Sequence, residues 1–254
     1  MASEKIALVT GSSQGLGAGI AKLLGAKGYK VIVTYKSNPE KAKEVVAHIK
    51  SEGGDALTLQ LDVTSEQSVK DCFNQVAEKY EKLDVLVNNA GVDGLSPIET
   101  ATYERWKEII GPKIDGNFLC TKYALPLLKN AKKSDLIVIM SELGDKPDIE
   151  DVAYSVGTAG AVSFTKAMAV ALAKYGVRTN GVGPSEIRTK LGYWEESGIN
   201  TDAAWKEIAD NNPLGRGATV EDVAQTVLTI VENPTQFWNG NFIYVTGGSH
   251  LKNG

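Results

Sequence analysis

The chain is poor in the residues that build metal sites and disulfide frameworks. Its 254 residues include two cysteines, Cys72 and Cys120, and two histidines, His48 and His250. No spacing among them suits a metal ligand set, so no metal is expected. Two cysteines so far apart also exclude a disulfide scaffold and fit a reducing compartment. Positive charge is not in excess either: 27 Lys and Arg stand against 31 Asp and Glu, a net charge of −4. A general affinity for nucleic acid or for an anionic membrane is therefore excluded. The first residues carry no apolar leader, and no apolar run is expected to approach a membrane span, because Lys166 interrupts the Ala-rich stretch around Met168. The expectation is a cytoplasmic protein. His48 lies in a charged helical pattern and His250 near the end of the chain, and both read as exposed structural residues.

What the chain has is a regular alternation. Short β-type runs fall at Ile6 to Thr10, Val31 to Tyr35, Ala56 to Leu61, Val85 to Val87, Leu136 to Met140, Arg178 to Val182 and Phe242 to Val245. Helical patterns lie between them: Leu16 to Ala26, a stretch opened by Asn38-Pro39 and running through Ile49, and one ending near Tyr80 with a possible Thr64/Gln67 capping box. Longer helices are predicted over Tyr103 to Lys129, disturbed near Gly111-Pro112, and over Val152 to Lys174. Thr219-Val220-Glu221-Asp222 opens another. Repeated βα units predict an α/β fold: a doubly wound, parallel, seven-stranded Rossmann-like sheet with helices on both faces. At 43% hydrophobic content and without a linker or repeat, the whole of 1–254 reads as a single dinucleotide-binding and catalytic domain.

Thr10-Gly11-Ser12-Ser13-Gln14-Gly15-Leu16-Gly17 joins the first strand to the first helix. Glycines there let the backbone approach a pyrophosphate, which the free N–H groups of the helix N-terminus then face. Position in the first βα turn makes this stronger evidence than glycines alone. The second strand ends Val33-Thr34-Tyr35-Lys36-Ser37-Asn38, with no acid before Glu40. An acid at that point would serve the ribose 2′-hydroxyl of NAD. Its absence, with Lys36 present and hydroxyls on Thr34 and Ser37 to meet a 2′-phosphate, favours NADP(H) over NAD(H).

Together these features resemble the short-chain dehydrogenase/reductase family along essentially the whole chain. The glycine stretch is similar to the family's Thr-Gly-x-x-x-Gly-x-Gly. Asp62-Val63 falls where the family touches adenine, and Asn88-Asn89-Ala90-Gly91 matches its Asn-Asn-Ala-Gly segment. Ser141 follows the fifth strand, and Tyr154 lies thirteen residues on, the family's usual separation. Asn180, Pro184, Ile187 and Thr189 resemble the segment that covers the nicotinamide, and Gly247-Gly248 ends the last strand as in family members. The resemblance implies cofactor contacts along these segments, with Tyr154 as the acid or base and Ser141 holding the substrate oxygen. It implies a homodimer or homotetramer as well, the long helix around Tyr154 pairing between subunits. Phe237-Trp238-Asn239-Gly240 is a second stretch that could bury apolar surface against a partner.

Two positions depart from the pattern. The family's lysine, four residues after the tyrosine, binds the ribose and makes the phenol a stronger acid; here it is Thr158. The family's supporting asparagine in the preceding helix is Lys113. Loss of the ammonium is expected to slow ketone reduction by about ten- to several-hundredfold, since only part of the lost acidity reaches the barrier. A flexible lysine on a neighbouring helix could restore the charge, which would make the two departures one exchange. Alternatively the substrate is a protonated imine, which needs no strong acid. The stretch from Ser141 to Tyr154 carries Glu142, Asp145, Asp148, Glu150 and Asp151 against Lys146, and Glu186 follows Pro184-Ser185. Glu142, Asp151 and Glu186 are candidate pocket acids for a cationic substrate. Residues 188–213 occupy the place of a substrate lid, where Tyr193, Trp194 and Trp205 either line an apolar pocket or pack as ordinary helix residues. The leading expectation is an NADP(H)-dependent oxidoreductase acting on a carbonyl or imine carbon. A non-redox catalyst of cyclisation or elimination, and a nucleotide-binding protein without turnover, are the alternatives.

Overall fold

The computed structural model describes residues 4–189 and 200–252. Seven strands, β1 (Lys5–Val9), β2 (Tyr29–Tyr35), β3 (Asp55–Gln60), β4 (Val85–Asn88), β5 (Ser134–Ile139), β6 (Val177–Pro184) and β7 (Phe242–Val245), form one sheet in the order 3-2-1-4-5-6-7. Every neighbouring pair is parallel. Apolar side chains fill both faces of the sheet, as a parallel sheet covered by helices requires. Helices α1 (Gly15–Ala26) and α2 (Pro39–Ser51) cover one face. Helices α3 (Glu66–Lys79), α5 (Asn117–Asn130) and α6 (Val152–Ala173) cover the other. Strand order reverses between β1 and β4, so a crevice opens at the carboxyl ends of those two strands.

Local signals account for most element ends. Asn38 accepts from the Lys41 N–H at 3.2 Å with Pro39 at the first helical position of α2. Thr219 and Asp222 form a reciprocal capping box on α8 (Val220–Glu232). The expected Thr64/Gln67 box is not formed. Ser65 caps α3, while the Thr64 hydroxyl is drawn to the Asp62 carboxylate at 2.7 Å. The long helix expected from Tyr103 forms, with its turn widened at the Gly111-Pro112 disturbance. Helix α4 (Tyr103–Gly111) passes through a π-helical turn, Pro112–Gly116, into α5. Proline at 112 cannot donate to the preceding turn, and the ladder widens there.

Helix α6 is long and apolar enough, by length and composition, to cross a membrane, contrary to the expectation placed on Lys166. In this fold it packs against β6 and the 3₁₀ turn Glu142–Gly144. Beneath the sheet, Arg178 pairs with Asp135 at 2.7 Å, both side chains 4% exposed, and its remaining donors reach the carbonyls of Ile230 and Thr235. Part of the expected lid is helix α7 (Asp202–Asn211). Trp205 on it is buried, its indole donating to Asn200 at 2.7 Å, which is the packing reading of that residue. Tyr193 and Trp194 lie outside the described residues.

Candidate active site

The crevice at the strand reversal is a cleft of about 1670 Å³ running from the glycine turn to the first turn of α6. Its phosphate end is built by the turn itself. Gly11 adopts φ +64°, and a Cβ on Gly17 would sit 2.6 Å from the Gly11 carbonyl oxygen and 2.5 Å from the Asn89 side chain. Only glycine fits there, and α1 begins without a side-chain cap, so its first N–H groups face the cleft. This cradle fits a dinucleotide pyrophosphate. Thr10 braces it from below, accepting from the N–H groups of Asn89 and Ala90 at 2.9 Å.

Ser13, Gln14, Gly15, Leu16, Lys36, Ser37, Asp62, Val63, Gly91, Pro184, Ile187 and Thr189 all line the cleft, with Gly11, Gly17, Asn89 and Ala90. Two expected cofactor contacts do not. Thr34 is fully buried: its hydroxyl donates to the Val9 carbonyl at 3.0 Å and accepts from the Gly11 N–H at 3.0 Å. It holds the glycine turn and is turned away from a 2′-phosphate. Thr158 is fully buried too; its hydroxyl has no hydrogen-bond partner among the described residues, and its methyl group faces Gly144. At the ribose end, Lys36 pairs with Asp62 at 3.0 Å. Partial burial raises the Asp62 carboxyl, but the donors of Thr64 and the Lys36 ammonium outweigh it and hold the group below the usual carboxylate range. Lys41, in the first turn of α2, also lines this edge and donates to Gln14 at 2.8 Å. Lys41 lies beyond the strand end in sequence, and one helical turn brings it back to the cleft.

The other end of the cleft gathers Ser141, Tyr154 and Lys113. Ser141 opens the 3₁₀ turn after β5 and accepts from the Leu143 N–H at 3.3 Å. Lys113 rises from the π-helical turn across Gly157 of α6, whose added Cβ would meet the lysine Cδ at 3.0 Å. Its Nζ ends 4.0 Å from the centroid of the Tyr154 ring. The amine therefore lies against the phenol ring, within cation–π range. Lys113 is only 7% exposed, and its amine makes no hydrogen bond to a described residue. Burial pulls its pKa down to about 8, against the opposing pull of Asp93. The Tyr154 phenol is pushed up by burial first, then by the charges of Asp93 and Asp151.

Among the pocket acids, Glu142 is not a solvated loop charge. It is 8% exposed, accepts from the Ser249 hydroxyl at 2.9 Å, and is raised by burial and by Glu186 across the cleft. Asp151 is half-buried and its pKa is raised to about 6, by burial first and then by Asp148 and Asp93. Asp145 is held elsewhere, by the Tyr244 hydroxyl. His48 is exposed, and His250 stacks on Tyr244 and contacts the Thr246 hydroxyl.

The short chain dehydrogenase family pattern matches residues 5–197. The chain belongs to the short-chain dehydrogenase family. A 3-oxoacyl-[acyl-carrier-protein] reductase of Synechocystis is 34% identical over 97% of this chain and 97% of its own length. The Staphylococcus aureus FabG of the same description is 31% identical, covering 99% of this chain and all of the relative. In structure, the promiscuous reductase LugOII, which catalyses keto-reduction at C1 during lugdunomycin biosynthesis, overlays with a TM-score of 0.87 at 31% identity over 98% of both chains. As a short-chain dehydrogenase the protein is an oxidoreductase of a family that uses NAD(P).

Proposed function

We propose that this short-chain dehydrogenase is an NADP(H)-dependent reductase of a carbonyl or imine carbon in a small, ring-containing or cationic substrate, with Lys113 standing in for the lysine that Thr158 replaces. One observation carries the reading: a buried lysine amine lies 4.0 Å over the ring of the tyrosine, in the cleft that begins at the glycine turn. The relatives support carbonyl reduction, being 3-oxoacyl and keto reductases. NADP(H) is favoured by Lys36 and Lys41 at the ribose edge, where no acid precedes Glu40.

When bound, the dinucleotide supplies hydride to the electrophilic carbon. The remaining work belongs to the chain. The glycine turn and the α1 N-terminus hold the pyrophosphate. With a carbonyl substrate Ser141 donates to the reacting oxygen and orients it, and Tyr154 gives that oxygen the proton it takes up as hydride reaches the carbon; a protonated imine already carries its proton and is neutralised by the hydride alone. The Lys113 ammonium above the ring stabilises the negative charge that develops on the phenol, offsetting the burial and the acids that oppose it. Glu142, Asp151 and Glu186 give the substrate end an acidic wall that favours a protonated nitrogen.

The test is an exchange experiment, with NADPH consumption followed over ketone and cyclic-imine panels. Lys113→Asn should slow turnover by about ten- to several-hundredfold. Thr158→Lys alone should give no gain, because a second ammonium would crowd the first. Lys113→Asn combined with Thr158→Lys should recover most of the loss. A single Thr158→Lys variant faster than the parent, with Lys113→Asn unchanged, would overturn the reading. We also propose a homodimer or homotetramer, built on the apolar face of α5 and α6 that leaves Phe118 and Val170 exposed.

A further inference from the structure

Helix α6 carries Tyr154 in its first turn, and the residue placed to cap that turn does not do so. Asp151 occupies the N-cap position, yet its side chain makes no capping hydrogen bond. One of its carboxylate oxygens is buried without a hydrogen-bond partner among the described residues, and the residue lines the substrate end of the cleft. The cap comes instead from another loop. The Ala153 N–H donates to the Ser96 hydroxyl at 2.9 Å, across 57 residues of sequence. Ser96 is 1% exposed, and its own N–H donates to the Glu150 carbonyl at 2.8 Å, so the loop between β4 and α4 is stitched to the start of α6 on both sides. An aspartate at an N-cap ordinarily serves the N–H groups of the second or third helical residue. Here the second is taken by Ser96, and the third belongs to Tyr154 itself.

We propose that Ser96 is a positioning residue: by capping α6 from the neighbouring loop it fixes the turn that carries Tyr154 and keeps the Asp151 carboxylate in the substrate pocket instead of on its own helix. The proposal rests on the reading of Tyr154 as the proton-holding group. Held in the pocket, Asp151 is surrounded by Asp148 and Glu150 of its own loop, Asp93 of the β4–α4 loop and Arg105 of α4, and it acts on Tyr154 beside it, where Lys113 supplies the opposing charge. An ionised Asp151 opposes charge on the phenol, so reduction of a neutral carbonyl slows as pH rises through about 6, the value to which Asp151 is raised. Without Ser96 the carboxylate swings onto the vacant helix N–H groups, which hold its charge, and that limb of the profile disappears.

Two measurements test this. The first is a double-mutant cycle on the melting temperature of the protein without cofactor. Ser96→Ala and Asp151→Ala alone should each cost little, because the remaining partner caps the helix. The double variant should lose about 2–4 °C beyond their sum. An additive cycle overturns the proposal. The second is the pH profile of kcat/KM with a neutral ketone. Asp151→Asn and Ser96→Ala should both remove the limb near 6, Ser96→Thr should keep it, and KM for NADPH should not change. A limb retained in Ser96→Ala, or missing in the parent, overturns it too. A coupled cycle in a protein whose Tyr154→Phe variant still reduces ketones would instead overturn the role given to Tyr154.

Discussion

The amine of Lys113 lies 4.0 Å above the ring of Tyr154, although the two residues sit on different helices 41 positions apart. A cation in contact with a phenol ring ties the charge state of one to the acidity of the other. Lys113 is lowered to about 8 by burial, so it is charged at neutral pH and loses its proton just above it. Ketone reduction should therefore fall as pH rises through about 8, when the ammonium that supports the phenolate disappears. Lys113→Met should abolish that limb and lower the plateau below it. A kcat/KM profile of the parent and the variant checks this; an unchanged limb in the variant would assign it to another group.

The same burial has a cost in stability. Lys113 titrates at about 8 in the folded chain against 10.5 for an ordinary lysine, so the folded state binds this proton more weakly than the unfolded state. The penalty is present in full below pH 8 and fades as pH rises toward 10.5, and it amounts to as much as about 3 kcal/mol at 1.36 kcal/mol per pH unit. Lys113→Met should thus be more stable than the parent at pH 7 and gain little at pH 10. Urea unfolding at the two pH values measures the difference.

Lys36 and Lys41 flank the ribose end of the cleft, and both are exposed. Replacing both by alanine should weaken NADPH binding by about ten- to a hundredfold, as expected for two charge-assisted contacts, and leave NADH nearly unaffected. Calorimetric titration with both nucleotides reads the ratio. Equal loss for the two would mean the lysines serve the pyrophosphate or the fold.

The Asp135–Arg178 pair is sealed beneath the sheet. Burial raises the Asp135 carboxyl to about 6 in spite of the guanidinium beside it. Removing one partner leaves an uncompensated buried charge, so Asp135→Asn should destabilise the protein by about 3–5 kcal/mol at pH 7. Replacing both partners by apolar residues of similar volume should cost much less. Denaturant midpoints of the three variants separate pairing from packing.

Val170 is 81% exposed on α6, a helix whose apolar residues outnumber those it buries within one chain. If the proposed dimer or tetramer is built on this face, Val170→Asp should reduce it to smaller species in light scattering. Unchanged mass would overturn the proposed assembly on this face.

The sheet was legible because each strand is a short apolar run and each crossover an amphipathic helix, signals set by residues close together in sequence. The phosphate cradle was legible for the same reason. Lys113 and Thr158 were found only as departures from a family pattern. Where the lysine points depends on a π-helical turn and on Gly157 leaving room on the neighbouring helix, and neither follows from spacing. The role of Thr34 is not legible in sequence, because a hydroxyl at a strand end looks alike whether it faces a ligand or the turn beneath it. The Ser65 cap was missed because the Asp62 carboxylate competes for Thr64.

The π-helical turn at Pro112–Gly116 also constrains redesign. One residue more than a regular turn rotates everything after it by about 100°. A substrate loop or helix transplanted from a relative with an unbroken turn would present α5 to its neighbours on the wrong side. Grafts that begin before Tyr103 must carry the interruption with them, or end ahead of it.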